Sequence, residues 1–223
     1  MKNNVLFRKI QTVLIMFLQA VILFATAGTL KWKWAWMFIA SQVAILIVNA
    51  LVLPRELIEE RGRIRKDVKK WDRILNRINI IPFSGIFILS GFDYRFHWTG
   101  SFGLEIHIAG LILILLGSMI FTWSMISNKF FSTMVSIQDD RGHSTATGGP
   151  YRYIRHPGYT GFIIMTIATP VALGSFYALT MAFLVSVIFI VRTIFEDKTL
   201  ISELPGYLEY SEKVKYKLIP YIW

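Results

Sequence analysis

Apolar residues in this chain come in long uncharged blocks, without the short hydrophobic periods of a soluble helix or strand. Four blocks run from Ile10 to Leu30, Trp34 to Leu53, Ile78 to Phe92 and Ile106 to Asn128, and a fifth from Pro157 to Val191. A helix needs about 20 apolar residues to cross a hydrocarbon core of about 30 Å, so the first, second and fourth blocks predict spanning helices. The third is short and interrupted by Pro82, which predicts a weaker, broken span. The fifth covers 35 residues; as one helix it would reach about 52 Å, far more than the core. It is predicted to fold back as a hairpin of two helices of about 17 residues each. The turn is expected at Leu173-Gly174-Ser175-Phe176, where glycine opens backbone angles that other residues resist. The expected fold is therefore all-α: a polytopic membrane bundle of about six segments (five to six), the last two forming a helical hairpin.

Composition agrees, with 54% hydrophobic and 17% charged residues over 223 positions, too apolar for an ordinary soluble domain. Charge adds an orientation. With the N-terminus inside, 21 of the 24 Lys and Arg residues fall on the cytoplasmic side and only Lys31, Lys33 and Arg95 outside, as the positive-inside rule requires. Both termini are expected in the cytoplasm. The net charge of +10 is then explained by topology and by anionic lipid headgroups, so no nucleic acid is expected as a partner. Trp32, Trp34 and Trp36 read as anchors at the outer headgroup boundary. Ile10 to Leu30 is longer than a usual signal core and is soon followed by another apolar block, which predicts a retained first helix. There is no cysteine, so disulfides and thiolate chemistry are excluded.

Two polar connectors, Arg55 to Arg77 and Lys129 to His156, and the tail from Arg192 share the predicted cytoplasmic side. The densest chemistry lies in Gly148-Gly149-Pro150-Tyr151-Arg152-Tyr153-Ile154-Arg155-His156-Pro157-Gly158-Tyr159-Thr160-Gly161, with two arginines, a histidine and three tyrosines at the edge of the fifth block. Adjacent glycines let backbone amides approach a ligand, and Arg155 and His156 can bind a carboxylate, so a small anionic or zwitterionic ligand is expected. His143 and His156 are 13 residues apart, a spacing that fits no compact helical ligand pair, and no metal is expected. Arg192 closes the longest uncharged run, and a charge at that depth tends to face the bundle interior with a partner. Glu196, four residues on, shares its helical face.

The order Asn128, Phe130-Phe131, His143, Gly149-Pro150-Tyr151, Arg155-His156-Pro157-x-Tyr159-x-Gly161, Arg192-x-x-x-Glu196-Asp197-x-x-Leu200 and Tyr207-x-x-Tyr210 with Pro220 resembles the isoprenylcysteine carboxyl methyltransferase family and its phospholipid methyltransferase relatives. The likeness covers about the last hundred residues; the first helices match only as apolar segments. It implies one domain over 1–223, with transmembrane helices in 1–127 and a cofactor-binding loop, hairpin and tail in 128–223. It implies an S-adenosylmethionine-dependent methyltransferase with a cytoplasmic cofactor pocket and a lipophilic acceptor that enters from the membrane lipid. His143, Gly149, Tyr151, Arg155, His156, Tyr159, Gly161 and Glu196 would bind the cofactor, with Arg192 and Glu196 as the catalytic pair. Two departures touch the acceptor: Asp197 stands where the family usually has a second Glu, and Pro220 comes later after Val214 than in relatives. Carboxylate O-methylation is the leading expectation; the alternatives are amine N-methylation of a phospholipid and an NADPH-dependent reductase of the sterol reductase type.

Overall fold

In a computed structural model the chain is described at residues 2–65 and 67–223, with side chains from Val5 onward. Lys66 and the Lys2 side chain, both part of the charge asymmetry, lie outside this range. Among the described residues eight α-helices follow in order: α1 (Lys2–Ala27), α2 (Lys33–Val52), α3 (Arg55–Gly62), α4 (Lys70–Phe96), α5 (Leu104–Ile126), α6 (Pro157–Leu173), α7 (Phe176–Glu203) and α8 (Tyr207–Lys213). Short 3-10 turns at Asp139–Arg141 and Gly149–Arg152 punctuate the loop between α5 and α6, and the described residues contain no strand. Among the described residues five helices, α1, α2, α4, α5 and α7, are long and apolar enough to cross a membrane, while α6 has 17 residues.

Two elements are longer than polarity alone predicts. α4 is a continuous helix of 27 residues that runs through a buried Pro82, so the expected short, broken segment is corrected to a full-length one. A membrane helix tolerates proline where neighbouring groups re-satisfy the freed backbone. α7 has 28 residues, not about 17. The chain turns polar at Arg192, but neither proline nor glycine stops the helix before Pro205-Gly206. Its last three turns therefore carry Arg192, Glu196 and Asp197 on one rigid rod. The hairpin turn falls where expected: Gly174 ends α6 in the left-handed region at φ 80°, and Ser175 caps α7 by accepting from the Ala178 amide at 3.1 Å. The Ser175 hydroxyl also donates to buried Asp93 at 2.6 Å.

Small residues let α5 and α6 approach backbone to backbone. A Cβ added at Gly161 would lie 2.6 Å from the Gly117 carbonyl, and one at Gly110 2.7 Å from the Ala172 Cα. Around this seam Leu23, Phe38, Ile86, Phe87, Ile114 and Val185 form the core. Large apolar side chains such as Phe7, Phe17, Leu51, Ile81 and Phe183 remain exposed on the outer faces, as suits lipid. The tryptophans divide: Trp36 is half-exposed, but Trp32 is buried against Tyr94 at 4.5 Å between rings and Trp34 stacks on His107 at 4.2 Å. Trp36 also lies 4.8 Å from the Phe24 ring, so all three expected headgroup anchors pack against the bundle's own aromatics.

Candidate functional site

At one end of the bundle the start of α6, the end of α7, α8 and the loop after α5 enclose a cavity with about 790 Å³ of empty space, part of it open to solvent. His143, Tyr151, Arg155, His156, Tyr159, Arg192 and Glu196 all line it. Gly149 and Gly161, expected beside them, do not: Gly149, at φ 55°, packs against Ser127 and Trp123, and Gly161 serves the α5–α6 seam.

The tail fixes the Arg155-His156 pair. Backbone amides of Arg155 and His156 donate to the Tyr216 and Lys217 carbonyls, both at 2.9 Å. Asp197 then joins their side chains: Arg155 Nη2 donates to its Oδ2 at 2.9 Å, while His156 Nε2 at 3.2 Å and the Tyr207 hydroxyl at 3.0 Å meet Oδ1. A second Arg155 nitrogen, Nη1, reaches the Ser211 carbonyl at 3.1 Å. Its Nε is buried and has no partner.

Arg192 does not pair with Glu196. Its Nε donates to Asp72 at 2.7 Å and its Nη2 to the Thr133 carbonyl at 3.0 Å, while its guanidinium lies 5.2 Å from the Tyr159 ring centre. Three of the five N–H groups of the guanidinium are left unspent. Asp72, fully buried on α4, also accepts from the Val135 amide at 2.8 Å, so one carboxylate fastens α7 and the loop to α4. Glu196 instead accepts from the Tyr159 hydroxyl, and the Tyr159 ring stacks parallel to His156 at 5.7 Å.

Opposite this wall, His143 packs on Phe130 at 4.5 Å between rings. Burial, opposed by Asp139 and aided by Arg65 and Arg141, pushes the imidazole down to about 4. It is therefore neutral at pH 7, and its Nδ1 accepts from the Gln138 amide at 3.2 Å. Burial first of all pushes the Tyr151, Tyr207 and Tyr210 phenols up, which keeps them neutral donors; Tyr210 donates to the Tyr151 carbonyl at 2.7 Å. Arg65, on the connector after α3, bridges Glu60 at 2.5 Å and Asp140 at 3.0 Å, pinning the loop from outside.

Sequence reading missed Asp72, Ser136 and Thr145. Asp72 sits in a basic connector and shows no spacing relation to the site; an acid among basic residues in the first turn of a helix was its one signal. Ser136 and Thr145 are ordinary loop hydroxyls in the sequence, but both line the cavity with buried, unpartnered oxygens. With Arg155 Nε they give the cavity three such polar atoms. Among the described residues no cluster of three metal-ligating side chains occurs.

Five long apolar helices, with an aromatic and polar cavity at one end of the bundle, are the architecture of a multi-pass membrane protein. Residues 110–202 match the model of the isoprenylcysteine carboxyl methyltransferase (ICMT) family, so the family recognised from the motifs is the one found for this segment. Protein-S-isoprenylcysteine O-methyltransferase A of Arabidopsis thaliana is 33% identical over 121 residues, 52% of this chain and 57% of that protein. The protein-S-isoprenylcysteine O-methyltransferase of Schizosaccharomyces pombe is 27% identical over 149 residues, 66% of this chain and 57% of its own. The Xenopus laevis enzyme of the same name is 31% identical over 110 residues, 48% and 38% of the two chains. The matches thus span little more than half the length of these relatives, or less.

Proposed function

We propose that this protein methylates the carboxylate of an isoprenylated cysteine, with S-adenosylmethionine as donor, at the cytoplasmic face of a membrane. The relatives' names supply the reaction. The observation that carries the reading is the trio of buried, unpartnered polar atoms, Ser136 Oγ, Thr145 Oγ1 and Arg155 Nε, on the wall of one aromatic cavity. A buried polar group without a partner costs about 1–3 kcal/mol, which a zwitterionic ligand removes by bonding to it. Phe130, Tyr151 and Tyr159 offer ring faces, and Glu196 a carboxylate, that suit a cationic centre.

S-adenosylmethionine, when bound, supplies a methyl group on a sulfonium that is open to in-line displacement. The protein's part is positioning: alignment of reactants at about 3–3.5 Å and exclusion of water. Arg155 would hold the donor's carboxylate through Nε, with its other nitrogens already braced by Asp197 and Ser211. Arg192 would grip the acceptor carboxylate end-on through its unspent N–H groups, while Asp72 and Thr133 fix its plane. Glu196, held by Tyr159, would face the sulfonium. His143, His156 and Tyr151 complete the walls.

Labelled S-adenosylmethionine and labelled NADPH, offered to the purified protein, test the ligand. Only the former is expected to bind, and Arg155→Gln to weaken it by about 1.5–3 kcal/mol. Binding of NADPH alone, or unchanged affinity in a folded Arg155→Gln protein, would remove the assignment.

A further inference from the structure

Outside this cavity another buried polar atom without a partner belongs to a charged group that has no counter-ion among the described residues. Arg61, near the end of α3, lies between Phe121 of α5 and Phe131 of the loop, with Cζ 5.9 and 5.2 Å from the two ring centres. Its Nη1 is closed off from solvent and has no hydrogen-bond partner. The adjacent Glu60 is spent on Arg65 at 2.5 Å, Arg63 at 3.7 Å and Arg141 at 4.0 Å. Among the described residues no acid comes within ion-pair range of Arg61. Arg8, on the first turns of α1, adds a like charge that Arg61 feels; its side chain donates to the neutral Gln11 at 2.7 Å.

Burial first and the charge of Arg8 second press the Arg61 guanidinium down from the usual arginine range, to about 9. A guanidinium does not give up its proton in a protein, so this penalty is relieved by an anion. Aromatic rings favour the cation through their faces but leave its N–H donors unbonded. The surroundings state what kind of anion fits. Leu6, Phe7 and Ile10, beside Arg8 on α1, and Trp123 and Ile126, just past Phe121 on α5, are exposed apolar side chains. An oxyanion reaching Arg61 would therefore bring an apolar chain that lies against them.

We propose that Arg61, seconded by Arg8, binds the oxyanion head of a membrane amphiphile between α1, α3 and α5. Two sources carry this chemistry: the phosphate of an anionic phospholipid and the free carboxylate of a prenylated cysteine. The site is separate from the donor cavity, with Phe131 as the shared wall. It stands or falls by binding, without recourse to turnover.

The test uses the full chain in phosphatidylcholine nanodiscs, titrated separately with phosphatidylglycerol and with N-acetyl-S-farnesylcysteine, bound amphiphile being counted by mass spectrometry of the intact complex. Arg61→Gln is expected to weaken one of the two by about tenfold, the loss of one charge-assisted hydrogen bond, and Arg61→Lys by less. Loss confined to phosphatidylglycerol assigns a phospholipid; loss confined to the farnesylated carboxylate, absent with its methyl ester, assigns a second binding site for a prenylated carboxylate. Equal affinities of wild type and Arg61→Gln for both probes overturn the proposal. If Arg61→Gln does not fold, Arg8→Gln carries the test, with an expected loss of about threefold from removal of one nearby charge; no loss there overturns it as well.

Discussion

His143 shows at the scale of one residue how burial selects a state. As the neutral imidazole it accepts from the Gln138 amide and packs on Phe130; protonated, its Nδ1 could no longer accept. Its folded-state value of about 4 lies below the ordinary 6.5, so its contribution to loop stability is fully present above about pH 6.5 and is lost as pH falls toward 4. Donor affinity and hydrogen-exchange protection of the Gln138 amide should accordingly hold steady from pH 8 to 6.5 and decline below it, and the decline should flatten in His143→Gln. A pH profile with the same decline in that variant would take His143 out of the explanation. Seven of the nine expected site residues line the cavity, because arginines, a histidine and tyrosines crowded together at a membrane edge mark a polar site. The glycines were not separable in that way. Gly161 lies in the same run as Tyr159, but half a turn around the helix points it at α5, and a linear motif does not show that difference.

Between elements, the decisive contact is one that local sequence patterns cannot reveal. Arg192 announced itself as a charge at the end of an uncharged run, but its partner is Asp72, 120 residues away, and not the Glu196 that shares its helical face. Such a pair is set by how α4 and α7 pack, and it also explains why α4 is read through Pro82 as one helix: its first turn must reach the site. Removing one partner of a buried ion pair leaves the other charge uncompensated, at a cost of about 3–5 kcal/mol. Asp72→Ala should therefore lower thermal stability strongly and free the loop at Val135, which loses its acceptor as well. Asp72→Leu combined with Arg192→Met, which removes both charges, should recover much of the stability and none of the activity. If Asp72→Ala melts like the wild type, the pair does not hold α4 to α7. The hairpin turn, by contrast, was readable from Gly174 alone, since its conformation is dictated locally.

For the whole molecule, the five long helices and the apolar outer faces follow from hydrophobic blocks of membrane-spanning length, whereas the orientation rests on charge. The proposed arrangement puts residues 128–156 and the tail on the cytoplasmic side, and a chain free of cysteine allows a direct check. A single cysteine at position 140 should stay unlabelled by an impermeant thiol reagent in intact cells and become labelled once they are opened; labelling from outside would invert the topology. The reaction tests the account most directly. Membrane-reconstituted protein, given S-adenosylmethionine with a radiolabelled methyl group and N-acetyl-S-farnesylcysteine, should form a product whose label is released as volatile methanol by mild base, the mark of a methyl ester. Arg192→Lys should cut this turnover by about tenfold or more, equivalent to about 1.4 kcal/mol of lost transition-state stabilisation, with a smaller effect on donor affinity. A base-stable label on an amine headgroup, or no transfer to the farnesylated carboxylate by protein that binds the donor, would contradict the proposed function.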